Sequence, residues 1–182
     1  MSPATNIGQF RETLHGAWRL ASQASVSTTN PQHKSYLLGP TATGFILYTP
    51  DGHMTATASA NLPPIETVNP AAGLASLLSD AEAAACARSY ISYAGGFELR
   101  EISKEEDGEK WAGEKEKAMK DQGVWLGMLV HIVECSLFPN WVGTRQHRIC
   151  SIDREGVLTL TAREGTDKDG ETFRAIARWK KA

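Results

Sequence analysis

The last third of the chain is a succession of strand-like segments joined by short turns, and this succession most constrains the fold. The predicted strands are 124–138, 144–152, 157–163 and 172–180. Upstream, 44–48 and 53–60 form a predicted hairpin around the turn Pro50-Asp51-Gly52. Seven to nine strands with short turns predict an antiparallel all-β fold. About eight strands can close into a barrel, which removes sheet edges and leaves room for one small ligand.

Helices are predicted at two places beside these strands. Asn6 begins a short helix over 9–14, and Ser79 with Glu82 has the spacing of a capping box that opens a helix over 80–93. Both faces of strand 124–138 are apolar. We therefore expect one face to line the barrel interior, and the other to be covered by the 80–93 helix or by a second copy in a homodimer.

A charged block, 103–122, interrupts the strand pattern. Its Glu and Lys spacing supports an exposed helix over 111–119, or no ordered structure at all. Such a composition buries little apolar surface, so we expect the block to be dispensable for folding, or else to act as a lid over the cavity mouth. The chain is expected to form one domain, 1–182, that carries this block as an insertion.

Composition excludes several classes of partner. The chain has 182 residues, with 19 Lys and Arg against 21 Asp and Glu, and it has no basic stripe of the kind that binds nucleic acid. No apolar run approaches the roughly 20 residues of a membrane span, and the first residues do not resemble a secretion signal. Three widely spaced cysteines, Cys86, Cys135 and Cys150, fit a reducing compartment. We therefore expect a cytoplasmic protein with no nucleic acid or membrane partner.

The stretch 130–148 carries the candidate chemistry. His131 and Glu134 lie among apolar residues of one strand, and burying ionisable groups there costs several kcal/mol unless something pairs with them. A histidine that titrates near neutral pH suits proton transfer. The alternative is a core histidine that is hydrogen-bonded to a backbone carbonyl or to Glu134. The two residues are three positions apart, so an ideal strand places them on opposite faces.

Arg145 and Arg148 also point to opposite faces of their strand, so one of them should face the interior. There a guanidinium would bind a carboxylate, phenolate or enolate oxygen; the alternative is pairing with Glu134 or stacking on Trp18. The candidate catalytic residues are His131, Arg148, Arg145 and Tyr48.

The candidate substrate contacts are Tyr93, Trp141, Glu134, His53 and Phe138. Tyrosines can present a phenol to a ligand, although most buried ones are core residues. Trp141 either holds the strand corner after Pro139 or forms a flat wall for an aromatic ligand. The remaining histidines have no metal-ligand spacing, and no phosphate loop or dinucleotide fingerprint exists, so neither a metal nor a cofactor is expected.

Several segments resemble the lipocalin-like domain proteins, small cytosolic barrels of bacteria and fungi. The similar segments, in the same order, are 14–20 (LHGAWRL), 44–54 (GFILYTPDGHM), 90–95 (YISYAG), 131–134 (HIVE), 136–144 and 178–179. The resemblance implies that Trp18 plugs the closed end of the barrel with an arginine stacked on it, Arg178 or else Arg163. The charged block 103–122 departs from the family pattern.

The resemblance also carries functional expectations. The family includes uncharacterised binders and fungal enzymes that isomerise or cyclise polyketide-like or flavonoid-like molecules without a redox cofactor. We therefore expect a cofactor-free isomerase or cyclase of specialised metabolism that acts on a small hydrophobic aromatic substrate, by chalcone-type ring closure, dehydration or a pericyclic step. The alternative is a non-catalytic carrier or sensor of a hydrophobic molecule. A third interpretation is a filled barrel that only mediates protein contacts.

Overall fold

The computed structural model describes residues 6–63, 78–122, 124–166 and 170–182. Most of these residues lie in strands. In chain order the elements are α1 (Ile7–Leu14), β1 (Gly16–Ser27), β2 (Lys34–Ser35), β3 (Thr43–Tyr48), β4 (His53–Ser59), α2 (Asp80–Arg88), β5 (Tyr90–Glu101), α3 (Lys104–Asp107), α4 (Glu109–Gln122), β6 (Gly127–Ser136), a 3-10 turn (Pro139–Trp141), β7 (Arg145–Ile152), β8 (Val157–Ala162), β9 (Gly165–Thr166) and β10 (Thr172–Lys181).

Eight of the strands close into an antiparallel barrel. Neighbours pair in the order β1-β3-β4-β5-β6-β7-β8-β10, and β10 pairs back onto β1. The two-residue strands β2 and β9 extend the sheet beside β1 and β10. The predicted all-β barrel is therefore confirmed. Among the described residues, no helix is both long and apolar enough to cross a membrane.

The boundary between α2 and β5 differs from the sequence prediction. The capping box is present, since the Ser79 hydroxyl accepts from the Glu82 N–H and the Glu82 carboxylate accepts from the Ser79 N–H. The helix nevertheless ends at Arg88, and residues 90–93 already belong to β5. The glycine at 95 does not stop a helix. It lies in a strand at a bulge, with φ 154°, where a Cβ would be 2.0 Å from the Ile132 carbonyl oxygen.

Helix α1 and Trp18 close one end of the barrel. Phe10 and Leu14 are fully buried beneath it, and the Trp18 indole N–H donates to the Leu14 carbonyl at 2.8 Å. The cation over Trp18 is the Lys181 ammonium, 4.3 Å from the ring centroid. The prediction that an arginine stacks on Trp18 is therefore wrong. Arg178 is excluded because it pairs in register with Ser22 and Thr159, one position out of phase with the inward-facing Trp179.

The second candidate for that place, Arg163, is also excluded. It forms an ion pair with the carboxylate of Asp107 at 2.6 Å. The closed end therefore uses the last residue of β10, which is directly opposite Trp18 in the β1–β10 register.

The charged block 103–122 is ordered as α3 and α4 and packs on the outer wall of the barrel. Its Trp111 is buried against an apolar cluster whose other buried members are Ile102, Met128, Val130 and Ile149. The Arg174 guanidinium lies 4.5 Å from the Trp111 ring centroid. The outer face of β6 is thus covered by this block at Met128 and Val130, and not by α2 as expected. The helix predicted over 111–119 is confirmed, since it lies within α4.

Candidate functional site

A hydrogen-bonded group of three side chains occupies the barrel interior, which we name the Tyr–His–Tyr group. His131, on the inner face of β6 between Leu129 and Val133, is completely buried. Its Nε2 lies 2.9 Å from the hydroxyl of Tyr48 at the end of β3, and its Nδ1 lies 3.0 Å from the hydroxyl of Tyr93 on β5. Both ring nitrogens are therefore occupied by phenol oxygens, and Glu134 is not a partner of the ring.

The donor and acceptor count leaves one hydroxyl proton of this group without a partner inside it. A neutral imidazole has one N–H donor and one acceptor nitrogen. One tyrosine therefore donates its O–H to the ring, and the other accepts the ring N–H. The accepting tyrosine keeps its own O–H, which is directed elsewhere.

Burial keeps all three side chains uncharged near neutral pH. Desolvation lowers the pKa of His131 from 6.5 to about 3, and the nearby positive charge of Arg148 lowers it in the same direction. Desolvation raises the pKa of Tyr48 and of Tyr93. At Tyr93 the Arg148 guanidinium opposes this rise of the pKa, both by its charge and by hydrogen bonding.

Arg148 places a cation beside this group. It is the cross-strand neighbour of Leu129 and shares the inner face of β7 with Cys150 and Ile152, which belong to the core. Its guanidinium donates to the backbone carbonyl of His147 at 2.9 Å. Among the described residues, no carboxylate forms an ion pair with Arg148.

Arg145 occupies the outer face of the same strand, where it pairs with the carboxylate of Glu98. The structure thus resolves the alternative between the two arginines: Arg148 points inward and Arg145 does not. Gln146, which the sequence analysis did not single out, shares the inner face with Arg148 and is directly opposite His131 in register. Because Gln146 is two residues from Arg148, alternation along the strand could have predicted that the two share a face.

Aromatic rings connect the Tyr–His–Tyr group to the end of the barrel opposite α1, which we call the mouth. The 3-10 turn between β6 and β7 places Trp141 there, 5.7 Å from the Tyr93 ring between centroids. Phe138 lies 5.1 Å from Trp141. The column therefore runs from the mouth through Trp141 and Tyr93 to His131 and then to Tyr48, which packs on Phe97 at 5.1 Å.

Two predicted substrate contacts lie away from this column. Glu134 is exposed on the outer face of β6, as alternation from His131 and Val133 predicts, and it is the unpaired residue at the bulge opposite the glycine at 95. His53 is exposed and forms an ion pair with Asp51 at 3.5 Å. Neither residue contacts the Tyr–His–Tyr group.

A further interior donor, which the sequence analysis did not single out, belongs to Trp179. This residue lies on the inner face of β10, opposite Leu20 and Leu158, and is buried in the core. Its indole N–H is buried and has no hydrogen-bond partner among the residues that the structure describes. A buried donor without a partner costs about 1–3 kcal/mol, so an oxygen atom of a ligand would relieve that cost.

Open volume is present at the mouth. A cavity of about 560 Å³ is lined by inner-face residues that include Ser25, Ala162, Phe173 and Ala175, with His33 at the rim. None of the Tyr–His–Tyr side chains lines this cavity. All three side chains of that group are buried, so a ligand must displace neighbouring side chains to contact Tyr93.

A metal site is not apparent in the part of the chain that the structure describes. Within it, no three His, Cys, Asp or Glu side chains are placed to hold one ion.

The sequence profile of the lipocalin-like domain family matches residues 15–182, and the chain belongs to that family. The chain is also similar to the 4'-hydroxy-3'-methoxypropiophenone carrier protein ppsC of Aspergillus oryzae (strain ATCC 42149 / RIB 40). The two are 26% identical over 103 residues, which cover 57% of this chain and 77% of that protein.

Proposed function

We propose that this protein is a cofactor-free isomerase or cyclase that acts on a small aromatic carbonyl compound held inside the barrel. The observation that carries the proposal is the convergence of four polar side chains, Tyr48, Tyr93, His131 and Arg148, in the barrel interior. A carrier needs an apolar pocket with about one anchor. A reaction that moves a proton needs at least two ionisable groups near the reacting atoms.

Each part of the site has a chemical role in this proposal. The Arg148 guanidinium, which forms no ion pair with a carboxylate among the described residues, stabilises negative charge that develops on a carbonyl oxygen inside the barrel, where such an interaction is strong. The Tyr–His–Tyr group exchanges a proton with the substrate. The apolar walls hold one reactive conformer, which removes much of the entropic barrier to an intramolecular step. Addition of a phenol oxygen to an enone is the reaction that best fits these groups.

The second candidate function is that of a carrier, and the similar protein from Aspergillus oryzae favours it. That protein is named as the carrier of an aryl ketone that also bears a phenol. The same arginine and tyrosine hydroxyl would bind a ketone or phenol oxygen here without turning it over. The side chains packed around His131 fit this candidate, because a carrier needs no access to the imidazole.

One pair of assays separates these functions. Binding of 4'-hydroxy-3'-methoxypropiophenone is followed by quenching of tryptophan fluorescence, and ring closure of 2'-hydroxychalcone is followed by the loss of its visible absorption. We expect binding of the ketone, and closure faster than in buffer alone. Binding without closure favours the carrier, and the absence of both contradicts either function. Native mass spectrometry of the purified protein identifies any ligand that remains bound.

A substitution of His131 tests the role of the imidazole in the same assays. His131→Gln keeps much of the shape, and we expect closure to slow by about 10²–10⁴-fold, the usual range for acid–base assistance. The matched control is His53→Gln, which alters an exposed histidine and should change nothing. If His131→Gln lowers stability but leaves turnover per folded molecule unchanged, His131 is a core residue only.

A further inference from the structure

The direction of the hydrogen bonds within the Tyr–His–Tyr group can be inferred from where its two hydroxyls lie. A neutral imidazole donates one hydrogen bond and accepts one. If the Tyr48 O–H donates to Nε2 and Nδ1–H donates to the Tyr93 oxygen, the Tyr93 O–H has no partner within the group and is available to a ligand that enters from the mouth.

The opposite direction leaves a proton in an unfavourable place. In this opposite arrangement, the Tyr93 O–H donates to Nδ1 of His131 and Nε2–H donates to the Tyr48 oxygen. The Tyr48 O–H then requires another acceptor. Tyr48 is 1% exposed, and among the described residues only His131 is hydrogen-bonded to its hydroxyl. A buried hydroxyl without an acceptor is disfavoured, and the Tyr93 hydroxyl likewise has only His131 as a hydrogen-bond acceptor among the described residues. The two directions therefore differ in which hydroxyl a ligand from the mouth can satisfy. Tyr93 is the more exposed of the two at 9%, and it lies on the mouth side of the imidazole.

We propose that Tyr93 is the catalytic residue that hands a proton to a substrate oxygen, and that Tyr48 holds His131 as the Nδ1–H tautomer, so that His131 is a positioning residue. The substrate class is defined by an oxygen that gains negative charge during the reaction, as an enone carbonyl does when it becomes an enolate. This identity of the substrate rests on the proposed function. The tautomer of His131 does not depend on it.

The proton balance closes over one turnover. As the phenol oxygen of the substrate adds to the enone, the Tyr93 O–H bond breaks and its proton forms the O–H bond of the enol. The phenol gives up its own proton to Tyr93, whose oxygen is stabilised meanwhile by Arg148 and Nδ1–H. Tyr93 is then protonated again. The enol loses its O–H proton and gains a proton at the α carbon, so the ketone product is an isomer of the substrate. No oxidant or reductant is required.

The first test reads the tautomer directly and needs no ligand. Protein labelled with ¹⁵N-histidine is studied by long-range ¹H–¹⁵N correlation, and the signal of His131 is assigned by its loss in His131→Gln. We expect a protonated Nδ1 and an unprotonated Nε2. Tyr48→Phe should shift the equilibrium toward Nε2–H, whereas the control Tyr90→Phe, on the same strand as Tyr93 but exposed, should not. A protonated Nε2 in the wild type overturns the proposal.

The second test compares the two tyrosines with 4'-hydroxy-3'-methoxypropiophenone and 2'-hydroxychalcone as probes. Tyr93→Phe should weaken ketone binding by up to about 10-fold, the value of one hydrogen bond, and lower kcat for ring closure by about 10²-fold or more. Tyr48→Phe should affect ketone binding less. Equal binding by wild type and Tyr93→Phe overturns the proposal. If the wild type neither binds nor converts the probes, the proposed function fails, while the tautomer result still decides the hydrogen-bond direction.

Discussion

Asp107 connects the helical insertion to the barrel, and we expect Asp107→Asn to lower the free energy of unfolding by about 3 kcal/mol. Its side chain is completely buried. It accepts two hydrogen bonds from the Arg100 guanidinium at 2.7 and 2.9 Å, one from Arg163 at 2.6 Å and one from the Ser103 N–H at 3.1 Å. An asparagine keeps the size of the side chain but carries no charge to balance two guanidinium groups.

The size of the destabilisation expected for Asp107→Asn follows from how exposed its two arginine partners are. Removing one member of a buried ion pair costs about 3–5 kcal/mol, whereas exposed pairs contribute about 0–1 kcal/mol. Here the carboxylate is buried, but the side chains of Arg100 and Arg163 are 30% and 44% exposed. Water solvates part of both cations after the substitution, which places the cost at the lower end of the range for buried pairs.

The effect should depend on pH in a definite direction. Hydrogen bonds from Arg100 hold the pKa of Asp107 below its ordinary value of 3.8 in the folded state. A depressed pKa of a carboxyl stabilises the fold above the unfolded value, and this contribution is lost as the pH falls through the folded value. The difference between wild type and Asp107→Asn should therefore be complete at pH 7 and narrow below about pH 4.

Urea unfolding monitored by tryptophan fluorescence measures this difference, provided that the slope of the transition is unchanged. Glu106→Gln is the matched control, because Glu106 contacts the same guanidinium at 3.0 Å from a largely exposed position, and it should cost no more than about 1 kcal/mol. A cost below about 1 kcal/mol for Asp107→Asn, or one that persists at low pH, would refute the reasoning.

Three further predictions concern the core. Trp18→Ala should cost about 3–5 kcal/mol because it opens the closed end of the barrel; a melting temperature equal to that of wild type would contradict its role as the plug. Trp111→Ala should also cost about 3 kcal/mol or more, whereas a dispensable insertion predicts no change in urea unfolding. Burial of His131 depresses its pKa from 6.5 to about 3. The free energy of unfolding of the wild type should therefore decrease as the pH is lowered from 6.5 to about 3, by up to about 1.4 kcal/mol per pH unit. His131→Gln should flatten that slope, and an unchanged slope would show that His131 does not cause it.

The barrel could be predicted from the sequence because its signals are local. Alternation of apolar and polar residues and glycine-containing turns determine strands one at a time. The capping box of α2 and the buried Trp18 follow from similarly short patterns. The cation over Trp18 could not be predicted, because Lys181 is placed by the pairing of β1 with β10, which joins opposite ends of the chain. The sequence of a single strand does not determine which residues lie opposite it on the neighbouring strand.

The insertion was predicted in part: a helix over 111–119 is present within α4, but its attachment to the barrel was not predicted, because two residues decide it. Its composition is that of a solvated segment, and a hydrophobic pattern averaged over 103–122 is dominated by Glu and Lys. Trp111 nevertheless supplies the apolar contact, and Asp107 supplies the ion pairs with the wall. The partners of both residues lie on strands distant in sequence, so only the folded barrel shows that they exist.

The site was predicted in part for a related reason. His131 and the two tyrosines were identified by type and by strand position, but their convergence depends on the register of β3, β5 and β6. Alternation along β7 correctly separated Arg145 from Arg148 without saying which of them faces inward. The outward position of Glu134 agrees with simple alternation, and the bulge next to it is set by the glycine at 95 on the neighbouring strand.

Arg148 separates a structural from a functional explanation of the Tyr–His–Tyr group. A core histidine needs two hydrogen-bond partners, and the two tyrosines provide them without any cation. A guanidinium next to a neutral imidazole, with no carboxylate pair among the described residues, adds a desolvation cost that a leucine would avoid. If the group is only structural, Arg148→Leu should leave stability equal or higher and ligand binding unchanged. For Arg148→Leu we expect the free energy of unfolding to rise or stay level. Binding of 4'-hydroxy-3'-methoxypropiophenone by this variant should weaken by about 10-fold or more, as for loss of a charged hydrogen bond. The control Arg145→Leu should leave this binding unaltered. Equal binding by the Arg148→Leu variant and the wild type would remove the arginine from the site.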